Sequence, residues 1–228
     1  MESTALRKEN SSRIDTKKMV VLAVLTALSY IAVFLFRIPV VSFLKYEPKD
    51  VIITIGGFMF GPLASMLMSA VISLVEMVTI STTGPIGALM NFISTSAFAC
   101  TASVIYKKIH TIKGAVIGLV SGSLIMTALM LAWNYLITPL YMGVDRGTVA
   151  GMLIPVFLPF NLLKAVLNSA ITMLLYKPLS AIMRKAHLLP EAPAHTENQG
   201  HIKKYAFVYI IAAFLVATCA AVIIIWNL

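Results

Sequence analysis

Long apolar runs alternate with short polar connectors along most of this chain. Five runs have the length that an α-helix needs to cross a lipid bilayer. They cover residues 19–36, 86–105, 115–137, 153–176 and 205–226. The first run is long for the apolar part of a signal peptide and lacks a clear small-residue cleavage pattern, which favours a membrane span over a cleaved leader. The pattern predicts an all-α polytopic membrane protein.

The apolar stretch at residues 51–80 is interrupted by Gly56, Gly57, Gly61 and Pro62. It fits one long kinked helix, or a short segment followed by a complete span. Basic residues cluster before the first run, near residue 110 and after residue 176. Only two crossings place all three clusters on the cytoplasmic side, as the positive-inside rule requires. We therefore predict two segments and a cytoplasmic N-terminus.

The first of these segments, residues 51–60, would be only about 15 Å long as a helix. Such a segment is tolerated at membrane depth when it is buried in protein or lines an aqueous cavity. A tilted span in a thinned bilayer, with no role in ligand binding, is the alternative. The predicted organisation has four parts. These are a basic segment at 1–18, a six-helix membrane domain at 19–185, a polar linker at 186–204 and an additional transmembrane helix at 205–228.

The composition agrees with this assignment, since 59% of residues are hydrophobic and only 12% are charged. The net charge of +9 comes from connectors and tails, which fits an anionic inner leaflet better than a nucleic acid. Both cysteines lie in apolar segments, without disulfide or metal spacing. The sequence contains no phosphate-binding loop and no nucleophile paired with a base. We therefore expect no enzyme, no metal and no nucleic-acid partner, and uptake against a gradient would need energy from elsewhere.

Polar side chains inside the predicted spans are the candidates for a binding site. Asn161, Lys164 and Asn168 share one face of a helix, and Phe157 lies one turn earlier. A lysine at membrane depth is costly unless it faces a partner or a wet cavity. The stripe therefore predicts a pocket for a flat molecule with polar edges, although a single asparagine more often bonds a neighbouring helix.

Three further residues within spans leave their roles open. Asn91 lies in the fourth segment, and Asn134 lies beside aromatic residues typical of a membrane interface. Glu76 could pair with Lys164, bind a proton or be solvated near the outer surface. The predicted outward connectors are residues 37–50, 81–85 and 138–152. The first is rich in mixed charge and could close over a solute or be an ordinary solvated turn.

Several separated motifs resemble one known family. They read FLKYEPKDVIITIGGFMFGPLAS at 43–65, TGPIGALMNF at 83–92, NYLITPLYMG at 134–143 and PFNLLKAVLN at 159–168. Together they resemble the riboflavin-specific S component of energy-coupling factor (ECF) transporters, over about residues 15–185. The resemblance implies a six-helix subunit of the bacterial plasma membrane that captures riboflavin or FMN from outside beneath its first outward loop, without a cofactor. It also implies assembly with a transmembrane coupling subunit and two ATP-binding subunits, and toppling in the membrane to release the vitamin.

The same resemblance assigns roles to individual positions. Asn134, Asn161 and Lys164 correspond to polar contacts with the flavin, and the resemblance also implies contacts from Asn91, Lys45 and Tyr46. Ala23 and Ala27 match a docking face with small residues four apart, which permits close helix approach.

Two other functions remain as alternatives at this point. One is a self-sufficient proton-coupled carrier of a small heterocyclic solute, with Glu76 as its proton site. The other is a membrane enzyme with an ionisable pair near Lys164 or Glu76.

Overall fold

The computed structural model describes residues 16–41, 44–185 and 200–227. Its eight α-helices, in chain order, are α1 (Thr16–Leu35), α2 (Lys49–Phe60), α3 (Pro62–Thr79), α4 (Gly84–Lys108), α5 (Ile112–Met142), α6 (Arg146–Met152), α7 (Leu158–Lys185) and α8 (Gly200–Asn227). A π-helical stretch, Leu153–Phe157, joins α6 to α7. The predicted basic segment up to residue 15 and most of the predicted linker lie outside the described residues.

The prediction of an all-α polytopic membrane protein is confirmed. Six helical segments in the described part of the chain are long and apolar enough to cross a bilayer, and α2 is not one of them. The structure contains one small element that was not predicted from the sequence. Strands β1 (Ile38–Val41) and β2 (Leu44–Tyr46) form an antiparallel hairpin in the first connector. Strands of four and three residues are too short for a recognisable alternation of polar and apolar positions.

The division of the stretch at residues 51–80 into two helices is also confirmed. Gly61 separates α2 from α3 and has φ of +94°, a conformation that residues with a Cβ rarely adopt. Pro62 then opens α3, where its missing N–H leaves no hydrogen bond unmade. With 12 residues, α2 is about 18 Å long.

The short helix α2 lies inside the protein. Nine of its residues are buried, and it packs against α1, α3, α4 and α7. A segment too short to span is thereby shielded from lipid. Its N-terminus, which carries Lys49 and Asp50, is held within the bundle.

Helices α4 and α5 pack closely against each other through small residues. A Cβ added at Gly118 would lie 2.7 Å from the carbonyl oxygen of Ala102, and one at Gly122 would lie 2.6 Å from that of Phe98. Both glycines therefore allow the two backbones to approach closely, as small residues do in membrane bundles.

The last helix, α8, packs along α7 and against β1. One narrow face, with Ala212, Cys219 and Ile223, is buried. At the other end of the chain, Ala23 and Ala27 lie on the exposed face of α1.

We expect Gly122→Ala to destabilise the protein, because the new methyl group meets a backbone carbonyl that cannot move freely. Overpacking of this kind costs about 1–3 kcal/mol and should lower the melting temperature in detergent by several degrees. Gly151→Ala in α6 is the matched control, since a Cβ there meets nothing within 4 Å. Equal melting temperatures for the two variants would show that α4 and α5 are not closely packed at Gly122.

Candidate functional site

A cavity of about 220 Å³ lies where the three predicted outward connectors meet. The hairpin contributes Leu44 and Lys45, the connector between α3 and α4 contributes Ser81 to Thr83, and the end of α5 contributes Tyr141. The remaining wall residues are Arg37, Glu47, Glu76, Gly87, Met90, Asn91, Ser94, Met130, Asn134, Met142, Phe160, Asn161 and Lys164. All three connectors thus lie at one end of the bundle, around one chamber.

Five of the predicted site residues lie on the wall of this cavity. They are Lys45, Asn91, Asn134, Asn161 and Lys164. The structure therefore brings together residues from β2, α4, α5 and α7. Their contact with a ligand remains a prediction.

Phe157 does not line the cavity. It is fully buried in an apolar cluster that includes Val40, Val149 and Leu167. The backbone before α7 winds with wider π-helical turns, so the regular helical spacing assumed for the stripe does not extend back through Phe157. Phe160 provides an aromatic ring on the wall instead.

Asn168 and Tyr46 lie behind the cavity rather than on its wall. The Tyr46 hydroxyl donates to Asn168 Oδ1 (2.9 Å), and Asn168 Nδ2 donates to Asp50 Oδ2 (3.1 Å). The same Asp50 oxygen lies 3.1 Å from Lys164 Nζ, and Thr95 Oγ1 donates to Asp50 Oδ1 (2.6 Å). Asp50 therefore holds the ammonium group of Lys164 at the wall, Asn168 and Thr95 hold Asp50, and Tyr46 holds Asn168.

A second ionic group joins the hairpin to α3. Lys49 Nζ lies 2.7 Å from Glu47 Oε2 and also bonds Glu76 Oε2. Arg37 Nε lies 2.9 Å from Glu47 Oε1, and Asn91 Nδ2 donates to Glu76 Oε2 (2.9 Å). Of the three roles considered for Glu76, the structure shows an ion pair, although with Lys49 rather than Lys164.

The two ionic groups contain three cations and three carboxylates, so their charges cancel. Pairing of this kind offsets the large cost of taking ions out of water. Lys45 differs, because none of the described acidic residues forms an ion pair with it. It presents a cation to the cavity from the hairpin.

Two of the asparagines on the wall, Asn161 and Asn134, bond to residues four positions away along the chain. Asn161 Nδ2 donates to the carbonyl oxygen of Phe157 (2.8 Å), and none of the described residues donates to its Oδ1. Asn134 Nδ2 donates to the carbonyl oxygen of Met130 (2.7 Å), while Thr138 Oγ1 donates to Asn134 Oδ1 (2.9 Å). The wall thus offers a free amide acceptor on Asn161 beside the donor Lys164.

Two groups of the first connector have displaced pKa values. Burial alone would raise the pKa of Glu47, but the positive charges of Lys49, Lys164 and Arg37 outweigh it and hold the pKa below its ordinary value. Burial, and then the negative charge of Asp50, raise the pKa of Tyr46. Tyr46 is therefore a neutral hydroxyl that can donate to Asn168.

The roles of four residues were not predicted from the sequence: Glu47, Lys49, Asp50 and Thr95. The sequence does indicate a role for the first three residues, because charged residues directly before a short apolar segment must find partners when that segment is buried. Thr95 gave no such signal, because a threonine in an apolar helix is common. Among the described residues, no three His, Cys, Asp or Glu side chains form a group that could hold a metal ion.

Comparison with known proteins identifies one matching protein family. The family described as "ECF transporter, substrate-specific component" matches residues 17–176. The riboflavin transporter RibU of Staphylococcus aureus is 28% identical over 179 residues, covering 75% of this chain and 94% of the relative. The riboflavin transporter FmnP of Bacillus subtilis is 28% identical over 194 residues, covering 77% and 100%.

A solved structure has a similar fold. It is described as "Structure and mechanism of the S component of a bacterial ECF transporter" and matches with a TM-score of 0.63 and 28% identity. The match covers 98% of that chain but 74% of this one. The family match ends at residue 176, before α8 begins.

We expect Asp50→Asn to be strongly destabilising, because it leaves the buried ammonium group of Lys164 without a counter-charge. Breaking one partner of a buried pair costs about 3–5 kcal/mol. The control is Asp145→Asn, which changes an exposed residue at the start of α6, where asparagine caps about equally well. Thermal unfolding in detergent measures both, and a similar small effect at the two positions would contradict the account.

We also expect the stabilisation by Glu47 to depend on pH. Its pKa is lower in the folded than in the unfolded protein, so its contribution is complete above the unfolded value and is lost as the pH falls through the folded value. The gap in melting temperature between the unmodified chain and Glu47→Gln should therefore stay constant from about pH 7 to 5 and shrink below about 4.3. A gap that already disappears near neutral pH would contradict this assignment.

Proposed function

The chain belongs to the family of substrate-specific components of ECF transporters, and we propose that the substrate it captures is riboflavin. It is a multi-pass membrane protein and a transport component rather than an enzyme. The two relatives described above are both named as riboflavin transporters, which supports this choice of ligand. The proposal rests on one observation: two buried polar side chains, Asn161 and Lys164, lie on the wall of a cavity between the predicted outward connectors.

The wall of the cavity suits a flavin ring in two respects. One edge of the isoalloxazine ring alternates carbonyl and N–H groups, so it needs both donors and acceptors. Lys164 supplies donors, and Asn161 Oδ1 supplies an acceptor. Phe160, Met130 and Leu44 add apolar surface for the flat ring.

We assign the hairpin of β1 and β2 as the lid. Leu44 and Lys45 reach the cavity from β2, and Glu47 ties the following turn to Arg37 and Lys49. A lid over a small-molecule site excludes water and must open for the ligand to enter or leave. Lys45 then faces the polar hydroxyl-bearing chain of the vitamin.

Release inside the cell would follow association with an ATP-driven energising module. The chain has no phosphate-binding loop of its own. The exposed positions of Ala23 and Ala27 on α1 are compatible with a helix of the coupling subunit docking there. The basic N-terminal segment supports a cytoplasmic N-terminus in a bacterial plasma membrane.

The proton-coupled carrier has weaker support. Its candidate proton site, Glu76, is engaged by Lys49 and by Asn91. A carboxylate held by an ammonium group is stabilised in its charged form.

We expect Lys164→Ala to weaken riboflavin binding by at least about tenfold, as loss of a charged hydrogen-bond donor costs 1.5–3 kcal/mol. Lys177→Ala is the control, because it removes the same side chain near the other end of α7, away from the cavity. Quenching of riboflavin fluorescence in a titration measures both affinities.

Two results would contradict the proposal. Equal affinities for the two variants would remove Lys164 from the site. Failure of the unmodified protein to bind riboflavin, or to purify yellow from cells supplied with it, would refute the ligand assignment.

A further inference from the structure

The helix α8 has no counterpart in the family match, yet it contacts the lid. It packs along α7 and against β1. Its buried residues Cys219 and Ile223 join Val40 and Tyr46 of the hairpin in one apolar cluster. These contacts place α8 against the side of the hairpin and not merely against lipid.

The contact uses a single face of α8. Ala212, Cys219 and Ile223 are spaced by seven and four residues, so they lie on one side of the helix. Ile224, next to Ile223, is 60% exposed and lies on the lipid side. Two adjacent isoleucines therefore differ in environment while sharing the same helix.

The cluster reaches the cavity through the hairpin. Leu44 belongs to the cluster and also lines the cavity. Tyr46 belongs to the cluster and, through Asn168 and Asp50, holds Lys164 at the wall. No described residue of α8 lines the cavity. Phe160 of α7 also belongs to the cluster and lines the cavity, so an effect of α8 on a ligand must be indirect, through the hairpin or through α7.

We propose that α8 is a positioning element that holds the lid closed over the captured ligand. Opening the hairpin must break its apolar contacts with Cys219 and Ile223, so these contacts lower the population of the open state. Because a bound ligand leaves only from the open state, α8 slows dissociation. The identity of the ligand rests on the proposed function; the role of α8 rests on the contacts described above.

The test compares Ile223→Ala with Ile224→Ala in the full chain. Each protein is loaded with radiolabelled riboflavin and mixed with excess unlabelled riboflavin, and the loss of protein-bound label over time gives the dissociation rate. Ile223→Ala should dissociate roughly three- to tenfold faster than the unmodified chain, with the same spectrum of bound flavin. Ile224→Ala should match the unmodified chain. If Ile223→Ala does not fold, Ile223→Val should show a smaller change in the same direction.

The outcomes separate the two claims. Equal dissociation rates for both variants and the unmodified chain would overturn the role of α8 while leaving riboflavin as the ligand. An altered spectrum of bound flavin with an unchanged dissociation rate would also overturn it, because α8 would then shape the site rather than hold the lid. Absence of riboflavin binding by the unmodified chain would overturn the proposed function itself.

Discussion

The pairing of buried charges is the constraint on which the rest of this structure depends. An ion within a membrane bundle is tolerated only when a counter-ion and hydrogen-bond partners replace water. Lys49 and Asp50 are neighbours at the start of α2 and have opposite charges. Lys49 bonds Glu76 of α3, and Asp50 bonds Lys164 of α7. The N-terminus of one short helix thereby fixes two long helices around the cavity.

The same pairing explains how a small membrane protein can present charge to a ligand without being destabilised by it. Asp50, which lies behind the cavity wall, supplies the counter-charge of Lys164. The remaining N–H donors of Lys164 are available at the wall. Glu47 extends the ionic network to the end of the hairpin, so the hairpin and the cavity share one set of contacts. In this chain α8 adds an apolar contact on the side of the hairpin.

Much of this arrangement was predictable from local sequence. The lengths of the apolar runs predicted the long helices. The distribution of positive charge predicted that the stretch at residues 51–80 forms two segments. The high cost of an amine at membrane depth predicted that Lys164 faces a partner or a cavity, and Lys164 lies on the cavity wall. The pairing was not predictable, because Asp50 and Lys164 are far apart in the chain and only the packing of α2 against α7 joins them. Phe157 was misplaced for a different reason, since nothing in the spacing revealed the π-helical turns.

The most direct test of the account is a structure of the protein with riboflavin bound. We expect the polar edge of the ring to lie within hydrogen-bond distance of Asn161 Oδ1 and Lys164 Nζ, with the ion pair between Lys164 and Asp50 retained. A flavin bound outside the cavity, or a Lys164 side chain turned away from it, would contradict the account.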